Sequence, residues 1–161
     1  MQGRILPLQQ KLEMEGKRPQ ESIGIATHIV LPDDTNTLGN LMGGRLMYWM
    51  DVIAAVSAHR HCTREVVTAS VNNISFNQPI HLGDFVTLEA KVSRAFGSSM
   101  EVFIDVWVED HKTAKKSKCN EAIFTFVAVD QIGHAIEVPE LIPETEEEIQ
   151  RYNAALRRRQ L

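Results

Sequence analysis

Cysteine is scarce in this chain. Of 161 residues only Cys62 and Cys119 carry a thiol, and they form no C-x-x-C pair and lie far apart. Two isolated thiols in a medium-sized domain mark reduced cysteines, so a cytoplasmic protein is expected. Long apolar runs are also missing: the longest, Leu46 to Met50, is far too short to span a bilayer. No charged segment followed by an apolar one opens the chain, so no secretory signal is expected. Positive charge is not in excess. The net charge of -4 argues against a nucleic-acid partner. There is no G-x-S-x-G elbow, P-loop or G-x-G-x-x-G. The six histidines form no H-E-x-x-H and no close pair with cysteine support, so no metal and no cofactor are expected. His59-Arg60-His61 closes a helix, where cations are favoured, and reads as structural. Cys62 sits at the same helix end, where a thiolate is not favoured, so a Cys-His nucleophile is not expected.

What is present describes one domain of ordinary size, 43% hydrophobic and 24% charged. Ser22 to Leu31 is rich in Ile, Thr and Val and stops at Pro32, which predicts a strand. A polar loop follows, from Pro32 to Gly39. Gly43-Gly44 then opens a helix-favouring run to Arg60 that is apolar nearly all round, so the helix is expected to be buried on most sides. Four strands follow: Val66–Gln78, Asp84–Arg94, Met100–Glu109 and Asn120–Asp130. Met100, Val102, Ile104, Val106 and Val108 alternate with Glu101, Asp105 and Glu109, which predicts one wet face. Asn120–Asp130 is apolar on both parities and reads as a central strand. Gly83-Asp84 and Gly97-Ser98 mark hairpin turns, and the short connections imply antiparallel pairing. Thr145 and Glu148 form a capping box for a last helix to about Arg158, with Glu146–Glu148 in its first turn and Arg157–Arg159 as a solvated end. The expected fold is α+β: a five-stranded antiparallel sheet wrapped around a central helix. Such a sheet covers the helix on one side only, so a partner subunit is expected on the other.

Asp51 is the most informative residue. At about 100° per residue, Leu46, Trp49, Ile53 and Val56 fall opposite it and are expected to pack on the sheet. Gly44, Met47, Tyr48, Ala54, Ala55 and Ala58 fall on its own side, a mostly small-residue stripe that leaves room for another chain or a ligand. One reading of Asp51 is the wet face of an amphipathic helix. Yet no Lys, Glu or Arg accompanies it there, and aspartate is rarely buried without a partner. The other reading is a carboxylate in a partly dry cleft. Desolvation there raises a carboxylate above the usual value of about 3.9 and makes it a better base. Gly43 and Gly44 stand where helix N–H groups lack partners, so an oxyanion could approach them; a plain turn is the alternative. Asn36 in the preceding loop could position water or a carbonyl, or serve the turn alone.

The segment Leu31-Pro-Asp-Asp-Thr-Asn36-x-x-Gly39-x-x-x-Gly43-Gly44-x-x-x-x-x-Met50-Asp51 closely resembles the acyl-CoA hydrolase branch of the hot-dog thioesterases. Val67-Thr68-Ala69-Ser70, Phe76-x-x-Pro79-Ile80-x-x-Gly83-Asp84, Ser98-Ser99-Met100-Glu101-Val102 and Phe124 to Asp130 add to it. Together they cover about residues 22 to 140. The resemblance implies a hot-dog domain over 21–140, between an N-terminal arm (1–20) and a C-terminal helical tail (141–161). It also implies a homodimer with active sites at the subunit interface, often assembled into a hexamer as a trimer of dimers. It implies acyl-CoA as substrate and coenzyme A as product, with Asp51 the catalytic carboxylate and Asn36 assisting from the facing subunit. Asp51 then serves as general base for water or, as the lesser alternative, as nucleophile. Backbone N–H groups near Gly43 and Gly44 hold the oxyanion, and Thr68 adds a hydrogen bond. Arg64, Arg94, Ser98, Ser99, Lys115 and Lys118 are candidates, with Gly43, to bind coenzyme A, since cations and hydroxyls suit its phosphates.

Two rival readings stay open at this level. A hot-dog hydratase or dehydratase would want a histidine beside the acid, and the helix offers none until His59. A non-catalytic acyl-CoA sensor would want an output module, and no helix-turn-helix segment is visible.

Overall fold

The computed structural model describes residues 14–160 apart from 73 and 77. Most of the expected N-terminal arm (1–13) lies outside the described residues. From Lys17 onward its backbone is tied down: Lys17 N–H donates to Glu140 O at 2.9 Å, and Ile142 N–H to Lys17 O at 2.8 Å.

Five strands form one antiparallel sheet: β1 (Gly24–Ile29), β2 (Glu65–Val71), β3 (Phe85–Phe96), β4 (Ser99–Glu109) and β5 (Lys116–Val129). Their order across the sheet is β1-β3-β4-β5-β2. The sheet wraps one long helix, α1 (Gly43–Cys62), and a second helix, α2 (Glu146–Arg159), follows the strands. The alternating apolar residues of β3 and β4 meet α1. Val86, Leu88, Ala90, Met100, Ile104 and Val106 are all fully buried. Gly97 turns β3 into β4 with φ +56°, the left-handed region where glycine is favoured. β5 is interior, between β4 and β2, as its two apolar faces predict.

Three expectations need correction. First, β2 is shorter than Val66–Gln78 and ends at Val71. Asn72 makes the last ladder bond, to Ile123 O at 2.9 Å. Beyond it the Asn120 side chain bonds Ser75 O at 2.8 Å, where a strand backbone would have paired. Second, Gly83-Asp84 closes no hairpin. β2 lies at the edge opposite β1, with β4 and β5 between it and β3, and the connection to β3 brings Phe76 against Gly43 at the start of α1. Third, Glu101 and Asp105 do not face water; they are 6% and 8% exposed. α2 covers them. Arg158 Nε donates to Glu101 Oε2 at 3.1 Å, and Arg151 Nη2 to Asp105 at 3.0 and 3.1 Å. Arg151 also lies over the Phe103 ring at 3.8 Å. The arginine run expected as a solvated end is therefore partly a docking device. Arg158 and Arg159 turn onto the sheet while Arg157 stays exposed. The capping box of α2 is present, with Glu148 N–H donating to Thr145 Oγ1 and Thr145 N–H to Glu148 Oε1, both at 3.1 Å.

Candidate active site

α1 starts without a capping side chain: its N-cap, Met42, makes no side-chain cap bond. The Met42 carbonyl takes the N–H groups of Arg45 and Leu46. The first two N–H groups, those of Gly43 and Gly44, have no partner among the described residues, as expected for a helix start. At Gly44 an added Cβ would meet nothing within 4 Å, so the protomer's own packing does not require glycine there. At Gly43 an added Cβ would lie 3.3 Å from the Phe76 ring, so the crossing chain sits directly on the first turn.

The buried face of α1 is centred on Leu46, Met50, Ile53 and Ser57. This corrects the expected wheel in part. Leu46, Trp49 and Ile53 pack inward as predicted, and Val56 is only half-buried. Ala54 and Ala58 were placed with Asp51, yet both are fully buried against the sheet. Those two alanines serve the protomer's own core, while Gly44, Met47 and Tyr48 of the same stripe are exposed and Ala55 is half-buried. Asp51 lies on the flank of that face, half-buried, with Met47, Tyr48 and Val52 exposed beside it.

One hydrogen bond fixes the carboxylate: Thr68 Oγ1 donates to Asp51 Oδ1 at 2.7 Å. Thr68 is in β2 next to a bulge between Thr68 and Ser70, which re-aims side chains at a sheet edge. Thr68 bonds to one carboxylate oxygen only, and Oδ2 makes no hydrogen bond among the described residues.

Asn36 is exposed and serves its loop. Its Oδ1 accepts the N–H groups of Leu38 at 3.0 Å and Asn40 at 3.1 Å. Its side-chain NH2 makes no bond among the described residues. Asn36 and Gly43 border a cleft of about 360 Å³, with Asn40, Phe76 and Gln78 also in its wall. Asp51 and Thr68 do not border it. Gly43 and Asp51 are eight residues apart on one helix, about 12 Å along its axis. In a single protomer the unpartnered N–H groups of the first turn and the Asp51 position therefore stand more than two helical turns apart.

The phosphate candidates fall in separate places. Arg64 is exposed after the end of α1. Arg94 is occupied at the β3–β4 hairpin, its guanidinium 3.8 Å over Tyr152 and donating to Tyr152 O. Ser99 is buried there and accepts from Arg159 at 3.0 Å, while Ser98 is half-buried in the turn. Lys115 is exposed at the β4–β5 hairpin. Lys118 pairs with Asp105 at 2.7 Å and with Glu121. The structure gathers no phosphate cradle from these six.

His61 is fully buried, its Nε2 2.7 Å from Pro139 O. Burial pushes the Cys62 and Cys119 thiols up, away from thiolate. Among the described residues one group could hold a cation: ligand atoms of Asp84, Asp110 and His111 lie within 4.8 Å of one another. These atoms are already used. Asp84 Oδ1 lies 2.8 Å from His111 Nδ1, and Asp110 Oδ1 accepts the N–H groups of Lys112 and Thr113.

The fold agrees with comparison to known proteins. The thioesterase superfamily model matches residues 38–115. The uncharacterised acyl-CoA thioester hydrolase YkhA of Bacillus subtilis is 45% identical over 139 residues, covering 86% of this chain and 81% of the relative. The chain belongs to the hot-dog acyl-CoA thioesterase family. Another member, an acyl-CoA hydrolase of Staphylococcus aureus, was solved with butyryl coenzyme A, coenzyme A and coenzyme A disulfide. It matches this thioesterase at 37% identity and TM-score 0.83, over 89% of this chain and 88% of that one. That enzyme was also solved with an asparagine, an aspartate and a threonine each replaced by alanine, residues spaced by 15 and 17 positions. An apo-hexameric acyl-CoA thioesterase aligns with TM-score 0.87 at 36% identity, over 91% of this chain and 94% of that one.

Sequence reasoning selected Asp51, Asn36, Gly43, Gly44 and Thr68, and missed the cleft residues Asn40, Phe76 and Gln78. The Phe76-x-x-Pro79 motif was visible. What it packs against was not, because the crossover that brings Phe76 over Gly43 joins elements distant in the sheet.

Proposed function

We propose that this chain hydrolyses acyl-CoA thioesters to free acid and coenzyme A, with the site built between two copies. The observation that carries the reading is the Thr68–Asp51 bond, which holds an acid on the flank of α1 with one oxygen left over. Asn36, Asp51 and Thr68 are spaced by 15 and 17 positions, the same spacing as the three residues substituted in the Staphylococcus enzyme. The helix starts of α1 supply N–H donors and the flank supplies the base. Since the two lie about 12 Å apart in one protomer, donors of one copy pair with the acid of the other.

Asp51 Oδ2 takes a proton from water as the water oxygen bonds to the thioester carbon. The carbonyl oxygen gains the displaced electron pair and is stabilised by N–H groups at Gly43 and Gly44, at the positive end of α1. The Asn36 NH2 orients the carbonyl or the water. The C–S bond then breaks; a thiolate is a stable leaving group and needs little help. The partner copy covers Met47, Tyr48 and Val52 of α1 and the open edge of β2, where Val67 and Val71 are exposed. We further propose that three such dimers assemble into a hexamer and that the protein works in the cytoplasm.

Coenzyme A release, followed with a thiol reagent on substrates from acetyl- to palmitoyl-CoA, tests the activity. Asp51→Asn is expected to lower kcat by roughly 100-fold or more while substrate still binds. Wild-type protein that binds acyl-CoA without releasing coenzyme A would instead make it a sensor.

A further inference from the structure

Asn36 opens a short loop, and its carboxamide is aimed by whatever closes that loop. The closing residue is Asn40. Asn36 N–H donates to Asn40 O at 2.8 Å, and Asn40 N–H returns to Asn36 Oδ1 at 3.1 Å. Leu38 N–H holds the same oxygen, so the Asn36 NH2 is the group left to act. Asn40 is tied in turn to the segment 80–82. Leu41 N–H donates to Ile80 O at 2.7 Å, and Leu82 N–H to Gly39 O at 3.0 Å. These two backbone bonds flank a bridge between Asn40 and His81. One side-chain bond joins the same pair: Asn40 Oδ1 lies 3.0 Å from His81 Nδ1. The carboxamide oxygen accepts, so His81 Nδ1 carries the proton. His81 rests on a buried acid. Asp84 is 4% exposed; its Oδ2 accepts His81 N–H at 3.0 Å and its Oδ1 lies 2.8 Å from His111 Nδ1. The Asp84 carbonyl accepts Val30 N–H at 2.9 Å, which fixes this turn to the end of β1.

We infer that His81 is a positioning residue for Asn36: through Asn40 it sets the direction in which the Asn36 NH2 offers its hydrogen bond. The inference rests on the role proposed for Asn36 and adds what holds that residue in place. Backbone bonds of a bridge lie in the ladder plane, and side chains stand out of it. The His81–Asn40 bond therefore restrains a tilt of the loop that the two backbone bonds leave free. Such a tilt carries the Asn36 NH2 off its target, and a misplacement of about 1 Å is enough to slow a reaction severely. Asp51 is fixed separately, by Thr68 of β2. The asparagine and the acid are thus aimed by different segments, and His81 serves the asparagine alone.

The test is steady-state hydrolysis of one acyl-CoA by His81→Phe, His81→Asn, Asn36→Ala and the double variant of His81→Phe with Asn36→Ala. His81→Phe keeps a ring and removes the donor. Its kcat is expected to fall about fivefold, the worth of one ordinary hydrogen bond, while KM stays within about twofold of wild type. His81→Asn puts an amide N–H where Nδ1 stood and should recover most of the loss. In the Asn36→Ala background His81→Phe should cost nothing further, because a residue that acts through Asn36 then has nothing to aim. His81 is exposed, so both single variants are expected to keep the wild-type urea midpoint. An unchanged kcat in His81→Phe, or the same loss with and without Asn36, would overturn the inference and leave thioester hydrolysis standing. Wild-type kcat in Asn36→Ala would instead remove the role of Asn36 and this inference with it. Wild-type protein inert on every thioester would remove the hydrolytic reading itself.

Discussion

Thr68 and Asp51 meet through one hydrogen bond between a strand edge and a helix flank. Thr68→Val keeps the shape and removes the donor, so kcat should fall about tenfold, the worth of one charge-assisted bond. A stopped assay of coenzyme A release beside a thermal melt checks that chemistry falls and folding does not. A second residue-scale prediction concerns His61. Burial lowers its pKa below the usual 6.5, opposed by the bond to Pro139 O and modulated by Lys17 and Glu21 nearby. In the unfolded chain the imidazole protonates first as pH falls. The stability tied to neutral His61 is therefore complete above about pH 6.5 and is lost progressively below it, towards the folded pKa. Urea unfolding from pH 8 to pH 5 should show this loss, and His61→Asn should flatten it. Asp51 was legible in the sequence because an acid without charged neighbours is conspicuous in an apolar helix. The seat of Phe76 on Gly43 was not, because an aromatic residue ahead of a proline carries no signal until the fold shows what it faces.

At the scale of elements, alternation in β3 and β4 identified the core face correctly. It could not say what lies on the other face. Glu101 and Asp105 look like solvent residues until α2 is laid across them with arginines that match their positions. Burying Glu101 makes its partner matter. Arg158→Met would strand a buried carboxylate and cost about 3 kcal/mol, read as a shift in the urea midpoint. Adding Glu101→Leu should recover most of that loss, because a pair of apolar side chains leaves no orphaned charge. The end of β2 was hidden for a different reason. Apolar residues continue past Val71, and only the Asn120 side chain, which takes the Ser75 carbonyl, shows where the ladder stops. The C-terminal capping box was fully legible because it is local. Thr145→Ala should cost about 1 kcal/mol of stability.

At the scale of the molecule, one sheet and one helix leave a half-covered helix, and the apolar residues Met47, Tyr48, Val52 and Val67 are exposed together in the isolated protomer. Val52→Asp should weaken association, and sedimentation should show smaller species with little turnover. The split between helix start and flank makes a stronger claim: each active site takes Asn36 from one copy and Asp51 from the other. Mixing two inactive variants, Asn36→Ala and Asp51→Asn, by unfolding and refolding together tests it directly. Half of randomly formed dimers are then mixed, and each mixed dimer carries one intact site, so about one quarter of wild-type activity should return. If both residues acted within one copy, every mixed dimer would hold two damaged sites. Activity of the mixture would then stay at the level of the separate variants, and a site shared between copies would be ruled out.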